Sequence, residues 1–526
     1  MSEEIQAFVD KEEFSYGYII EVLTGGLYPN KFHVIREYIQ NGFDAINDYK
    51  KRYDKEESEK LEISLYYSHP SIFIFDNGIG MDKEKIKQYR KIGYSEKLMS
   101  ESVGFRGIGK LSGLSVAEKL IVTSKQKNAD KRHKVVFDAH SMLEEIILLK
   151  AEGENVPLNE LIQKYTDVST EFDDDLDKHF TIVELHNIRE DSKVLFDEKE
   201  MYKYIALNCP VRFDPTFIHA SEIEEQLKTF VNDYQTVYII LNGSEVFRPY
   251  MEDYKPPGFI PVWDEENEDN PIAFCWYCEN KYSGQFEDRD KRGFYFRYKN
   301  FTVGDNHLTR KTLWYTTPER SFYFFGEIYI CLDEIIPSSE RSDFEHNSAR
   351  VHLYDKCRDV IPKQLNKLAG RSSEVHRAGE KLVTTTEKIA EISKEVEEQK
   401  IQKELQFSKA VETLRLVNDL EQRVKFLSGE EKEQANQVIK QGQSIINILK
   451  PKVKTQETLF PEEPITKPEE EYIYDIKKEL KLEGQAARVY DIIVITLEDF
   501  LIDSPETFEK LIKKIRTALE ENLYKE

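Results

Sequence analysis

Three groups of residues between Glu37 and Lys110 have the types and spacing to hold a nucleoside triphosphate. In Arg36-Glu37-Tyr38-Ile39-Gln40-Asn41-Gly42-Phe43-Asp44-Ala45 the polar residues Glu37, Asn41 and Asp44 recur at helical spacing, which gives one polar edge facing a pocket. In Ile72-Phe73-Ile74-Phe75-Asp76-Asn77-Gly78-Ile79-Gly80-Met81 an apolar run ends on Asp76, and Gly78 and Gly80 let the following backbone approach a ligand closely. In Gly104-Phe105-Arg106-Gly107-Ile108-Gly109-Lys110 a glycine-rich loop precedes a helix, offering unblocked backbone N–H groups and a helix N-terminus to phosphate oxygens. Each pattern alone is common, and an acid four residues before an asparagine is usually a solvated face. All three in this order are a far narrower observation.

The elements that carry these residues follow from hydrophobic periodicity. Val34, Ile35, Ile39, Phe43 and Ile46 give the first motif an apolar helix face, and residues 72–75 read as a buried strand. Further strands are expected over 61–67, 119–124, 134–138 and 180–186, so that 31–198 forms one α/β sandwich with helices over a mixed sheet. Residues 152–177, ending in Asp173-Asp174-Asp175, read as an acidic surface insertion. A second, strand-rich unit is expected over 199–350. There Asn242-Gly243 divides 237–247 into a hairpin, and strands are plausible at 294–298 and 325–331.

Beyond Arg350 helix signals take over. Ile389, Ile392 and Val396, then Phe407, Val411, Leu414, Val417, Leu420, Val424 and Leu427, recur at three and four spacing through 351–450. This predicts a coiled coil or long helical hairpin broken at Ser428-Gly429, with an intramolecular bundle as the alternative. Residues 451–470, rich in proline and glutamate, read as a linker, and 471–526 as a small helical module with an apolar patch at 492–497.

The chain has 526 residues, enough for three or four units at about 150 residues each. Its formal charge of -24 disfavours nonspecific grip on nucleic acid over most of the surface. One basic track, Lys125-Gln126-Lys127 with Lys131-Arg132-His133-Lys134, is the local exception, with a solvated loop as the bland reading. No stretch approaches the roughly 20 apolar residues of a membrane span, and the polar start Met1-Ser2-Glu3-Glu4 is unlike a signal peptide, which leads to an expected cytoplasmic location. The five cysteines are odd in number and scattered. Cys275 and Cys278 make one CxxC inside an expected strand with no second pair at zinc spacing, so a structural role is expected rather than a metal site.

The three motifs resemble those of the GHKL superfamily of ATPases: DNA gyrase, the ninety-kilodalton heat-shock chaperones, histidine kinases and MutL, with MORC-type ATPases as further relatives. The resemblance implies an α+β sandwich of the Bergerat type, followed by an α/β transducer-like domain and C-terminal helices with a coiled coil. It implies that the chain binds ATP and Mg²⁺, with Glu37 as the general base acting on the attacking water and Asn41 as a Mg²⁺ ligand. Asp76 would accept a hydrogen bond from the adenine amino group, Met81 would pack on the base, and Thr181 would assist Asp76. The family usually has a glycine before that threonine, where this chain has Phe180. Asp44, Gly78, Gly80, Gly104, Gly107 and Gly109 complete the expected ATP-binding set, with Lys110 and Lys97 reaching phosphate oxygens.

Ile92-Gly93-Tyr94-Ser95-Glu96-Lys97 is similar to the start of the mobile lid in the chaperone and MORC branches, which argues against a histidine kinase. Relatives also bring a basic side chain of the transducer to the γ-phosphate. Arg341, in Ile335-Ile336-Pro337-Ser338-Ser339-Glu340-Arg341-Ser342, resembles that residue; Arg310, Lys311 and Arg320 are its rivals. Residues 1–30 contain the aromatics that would let an N-terminal segment pack on the ATP domain or on a dimer partner.

The expected function is therefore an ATP-gated clamp or switch. It would be a homodimer joined through C-terminal helices that also take a protein partner, with DNA as a further candidate ligand. A heat-shock-type chaperone is one alternative. The other is a regulatory or host-defence adaptor working with a partner effector. Gln456-Glu457-Thr458-Leu459-Phe460, in the linker, resembles a peptide that docks on bacterial sliding clamps.

Overall fold

A computed structural model describes residues 30–53, 60–90, 109–152, 158–232, 234–250, 254–264, 270–281, 283–289, 291–338 and 340–449. Residues 1–29 of the expected N-terminal segment, the lid start with Lys97, Gly104 and Gly107, the linker with Gln456–Phe460 and the module 471–526 lie outside the described residues.

Helix α1 (Phe32–Tyr53) is the element around which the first domain packs. Asn30 caps it, its side-chain oxygen accepting from the amide of Phe32 at 3.0 Å, and Lys50, Lys51 and Arg52 sit favourably in its last turn, where the helix dipole is negative. Val34, Ile35, Tyr38, Ile39, Phe43, Ile46 and Tyr49 are buried on one face, each worth about 1.5–3 kcal/mol of removed apolar surface. The opposite face keeps Glu37 and Asn41 half-buried.

The apolar face of α1 lies over an eight-stranded sheet in the order β5-β4-β3-β6-β2-β1-β7-β8. The strands are β1 (Leu61–Tyr66), β2 (Ser71–Asp76), β3 (Ala117–Lys125), β4 (Lys131–Asp138), β5 (Thr166–Phe172), β6 (Phe180–Ile188), β7 (Ile239–Leu241) and β8 (Ser244–Glu245). All neighbours are antiparallel except β1 and β7. Short helices α2 (Lys83–Gln88), α3 (Ala139–Glu152) and α4 (Leu158–Lys164) pack on this sheet, α2 on β4 and β5, α3 on β3 and α4 on β5.

Two expectations are corrected here. Residues 152–177 are not merely an insertion, because they supply α4 and the edge strand β5. Their acids pair with two cations of the expected basic track: Arg132 with Glu171 at 2.6 Å, and the fully buried Lys125 with Asp173 at 2.9 Å. The Asn242-Gly243 hairpin forms, with Asn242 at φ 47°, but it extends the first sheet through β1 rather than joining the second. Helix α5 (Glu198–Asn208) likewise buries Met201, Ile205 and Ala206 in the first core.

The second domain is a five-stranded sheet, β12-β11-β13-β10-β9, covered on both faces. Its strands are β9 (Gly258–Val262), β10 (Ala273–Glu279), β11 (Gly293–Tyr298), β12 (Phe301–Val303) and β13 (Phe324–Ile330). Helix α6 (Ala220–Phe230) packs Ile223 and Leu227 on one face with Phe274, Trp276 and Phe325. Helices α7 (Asn306–Leu313) and α8 (Ser348–Glu397) cover the other, with Trp314, Phe294 and Phe296. Cys275 belongs to one core and Cys278 to the other, because an odd separation along a strand points side chains to opposite faces. The CxxC therefore cannot close on one ion.

After α8 come α9 (Lys403–Glu421) and α10 (Gly429–Leu449), and the three helices pack on one another within the chain. Ile389, Ile392, Val417, Leu420, Val438 and Ile445 are buried there, whereas Phe407 and Val411 of the same stripe are exposed, so part of the apolar stripe read from the sequence closes an intramolecular bundle.

Candidate active site

The site grows from a row of three polar side chains across neighbouring strands. Asp76 ends β2 opposite Thr181 of β6, and Thr181 stands opposite Ser124 of β3, so the three share one sheet face. Thr181 and Ser124 hydroxyls are 2.9 Å apart, and Ser124 Oγ also accepts from the Met81 amide at 2.8 Å and donates to the Phe180 carbonyl at 2.9 Å. Asp76 Oδ1 accepts from the Gly78 amide at 3.0 Å. Asp76 is 8% exposed and Thr181 9%, so both are sheltered from bulk water. Phe180, which stands where relatives have glycine, alternates to the other face and stacks on Phe75 at 6.3 Å, so it leaves Thr181 in place.

Backbone comes close at two glycines. Gly80 has φ +71°, and a Cβ there would sit 1.9 Å from the Lys125 carbonyl oxygen. A Cβ on Gly109 would strike Glu37 Oε2 at 1.8 Å, so the end of the glycine-rich loop lies directly against that carboxylate. Lys110 turns its ammonium to the Gln88 carbonyl at 3.3 Å and over the Tyr89 ring, while its own carbonyl accepts from Tyr89 at 2.9 Å.

Across from this row, α1 supplies Glu37 and Asn41, with Asp44 buried one turn on. Among the described residues the Asn41 side chain has no hydrogen-bond partner, leaving its amide oxygen open to a cation or water. The second domain reaches in at the same point. Arg341 Nε lies 3.7 Å from Glu37 Oε1, and its Nη2 donates to Gln40 Oε1 at 2.7 Å. Two of the rivals point elsewhere: Arg310 stacks on Phe322 at 5.0 Å, and Arg320 donates to the Asn366 carbonyl at 3.1 Å. Arg36 bonds the Thr302 carbonyl of β12, and Phe43 meets Phe301 edge-on at 5.5 Å, so α1 itself is fastened to the second domain.

Residues 30–166 match the family described as histidine kinase-, DNA gyrase B- and HSP90-like ATPase. This part of the chain is a GHKL ATPase domain. Among curated relatives, the chaperone protein HtpG of Buchnera aphidicola subsp. Schizaphis graminum is 24% identical over 308 residues, covering 50% of this chain and 46% of its own. HtpG of Sulfurovum sp. is 23% identical over 303 residues, covering 52% and 43%. HtpG of Rickettsia rickettsii reaches 32% over 148 residues, covering 24% of each chain. The chain thus spans less than half the length of these relatives, and it is near the HSP90-like branch of the superfamily. The two longer matches exceed the family-matched segment, so similarity continues beyond the GHKL domain.

The residues present fit the Mg²⁺ nucleotide that such domains take. Bare backbone at Gly80 and Gly109, a sheltered carboxylate at Asp76 and an unpartnered amide at Asn41 are the donor and acceptor types required, and one protein oxygen suffices for Mg²⁺ when phosphates supply others. Sequence reasoning missed Ser124, which ties Thr181 to Met81, and Gln40, which receives Arg341. Nothing marks Ser124 until strand register aligns it. Gln40 could have been suspected from its place between Glu37 and Asn41. Among the described residues no helix is long and apolar enough to cross a membrane.

Proposed function

We propose that the chain binds ATP with Mg²⁺ and hydrolyses it to drive a conformational cycle of the heat-shock chaperone type. Asp76 accepts from the adenine amino group, supported by the Thr181–Ser124 row, with Met81 against the base. Backbone N–H groups beside Gly109 meet the phosphates, and Asn41 holds Mg²⁺, which offsets phosphate charge when bound. Glu37 orients the attacking water and takes its proton, while Arg341 offers a planar, permanently charged fork to the γ-phosphate.

The observation that supports this most is the approach of Arg341, from the second domain, to within 3.7 Å of Glu37 on α1. An arginine there links the state of the nucleotide to the relation between two domains, which is what a conformational switch needs. We further propose a homodimer that closes on a protein client. The HtpG matches favour a client of this kind, and the pairing of Lys125 and Arg132 with acids weakens the case for DNA.

Purified chain is expected to release phosphate from ATP, to stop on chelation of Mg²⁺, and to suppress aggregation of an unfolding model protein in an ATP-dependent manner. Mg²⁺-dependent turnover without any effect on aggregation, combined with retention of duplex DNA in a mobility assay, would sink the chaperone reading and leave the ATPase standing. No turnover at all would sink both.

A further inference from the structure

Gln40 is fully buried on α1, three residues after Glu37 and one before Asn41. Positions three apart on a helix are neighbours on its surface, so one guanidinium can meet both Glu37 and Gln40, and Arg341 does so with Nε and Nη2. The atom facing Arg341 must be the amide oxygen, because a guanidinium has only donors. The other half of the amide, Nε2, is buried with no hydrogen-bond partner. An unmet buried donor is destabilising, and an apolar side chain of the same volume would avoid it. What distinguishes glutamine here is the acceptor it gives to Arg341.

The arginine arrives from a loop built to present it. Arg341 has φ +55°, its amide donates to the Ser338 carbonyl at 2.9 Å, and its carbonyl accepts from Gly304 at 2.7 Å. Two residues on, the Asp343 carboxylate accepts from Tyr354 at 2.5 Å and from Arg350 at 3.2 Å, both on α8. The loop is thus fixed to the second domain, and Gln40 is where its tip lands on α1.

We propose that Gln40 is a positioning residue for ATP turnover: it receives the Arg341 guanidinium and sets it beside Glu37. This rests on the roles proposed above for Glu37 and Arg341. Gln40 touches neither reacting atom; it acts through the arginine.

The test is a double-mutant cycle in the full chain, with kcat, KM for ATP and ADP affinity measured for Gln40→Leu, Arg341→Ala and the pair. Loss of a hydrogen bond to a charged group should lower kcat of Gln40→Leu about tenfold or more, with KM and ADP affinity within about twofold. In the Arg341→Ala background the same substitution should change nothing further, since there is no guanidinium left to position. Gln40→Glu, which keeps an acceptor, should restore most of the turnover. If Gln40→Leu no longer binds ADP, Gln40→Met repeats the cycle with a more flexible side chain. Equal losses with and without Arg341, or parental turnover by Gln40→Leu, would overturn the proposal while leaving the arginine's role intact. Parental turnover by Arg341→Ala alone would instead overturn the arginine's role, and Gln40's with it.

Discussion

Each domain places acids and arginines near its centre, but in different states of satisfaction. In the first, Glu37 and Asn41 are half-buried on α1, and among the described residues the Asn41 side chain has no partner and the Glu37 carboxylate has only the 3.7 Å approach of Arg341. In the second, Glu327 on β13 is fully buried between Arg248 and Arg297. Arg297 Nη2 donates to Glu327 Oε1 at 2.5 Å, Trp276 and Tyr329 donate to Oε2 at 3.2 and 2.9 Å, and Arg248 also holds Asn300 at 2.6 Å and the Val211 carbonyl at 3.0 Å. Burial alone would raise the Glu327 pKa, yet the two guanidiniums bring it down to about 2. A polar group with unmet valences suits a ligand, and one with every valence met suits rigidity. The first cluster is incomplete among the described residues, and the second locks β11 and β13 to the segment that leaves the first sheet after β8.

The largest expected effect is on the incomplete side. Glu37→Ala should retain ATP binding and lose about 10²–10⁴-fold in turnover, the range for removing a general base. Phosphate release and calorimetric ATP affinity, measured on the same preparation, check both halves. Near-parental turnover would remove Glu37 from its proposed role.

Glu327→Ala probes the complete side. It leaves two buried guanidiniums without their carboxylate, and should lower stability by about 3–5 kcal/mol in a denaturant titration. A loss below about 1 kcal/mol would mean that the cluster contributes little to rigidity, and the contrast drawn here would fail.

A smaller effect separates the clusters by pH. His33, one turn before Glu37, is held at about 4 by burial, with Arg36 and Arg341 repelling its charged form. An unfolded histidine titrates near 6.5, so between about 4 and 6.5 the unfolded chain binds more protons than the folded one. Stability from this group is therefore complete above 6.5 and is lost as pH falls towards 4, by about 3 kcal/mol at most. Glu327 stays ionised across that window. Denaturation at pH 7.5 and 4.5 should show a smaller acid loss in His33→Phe than in the parent, and equal losses would place the pH sensitivity elsewhere.

Strand positions were legible because β2, β3 and β6 are short apolar runs with period two, which local composition carries. Their register was not, and register is what puts Ser124 beside Thr181 and Phe180 on the far face. The Asn242-Gly243 turn was legible for a local reason, since those residues tolerate positive φ. Which sheet its hairpin would join depended on an open edge at β1 that no nearby residue encodes.

By itself, then, the sequence determined what lies within a few residues along the chain: α1 with its polar edge, the strand ending at Asp76 and the close backbone at Gly80. It also carried the resemblance to GHKL ATPases, because short motifs in a fixed order are a local property. Only the tertiary structure decided what meets across the chain. Arg341 reaches Gln40 over 301 positions, Lys125 is silenced by Asp173, and part of the C-terminal apolar stripe closes on its own helices. Such contacts form from the burial of both cores together, a non-local free energy that no single segment contains.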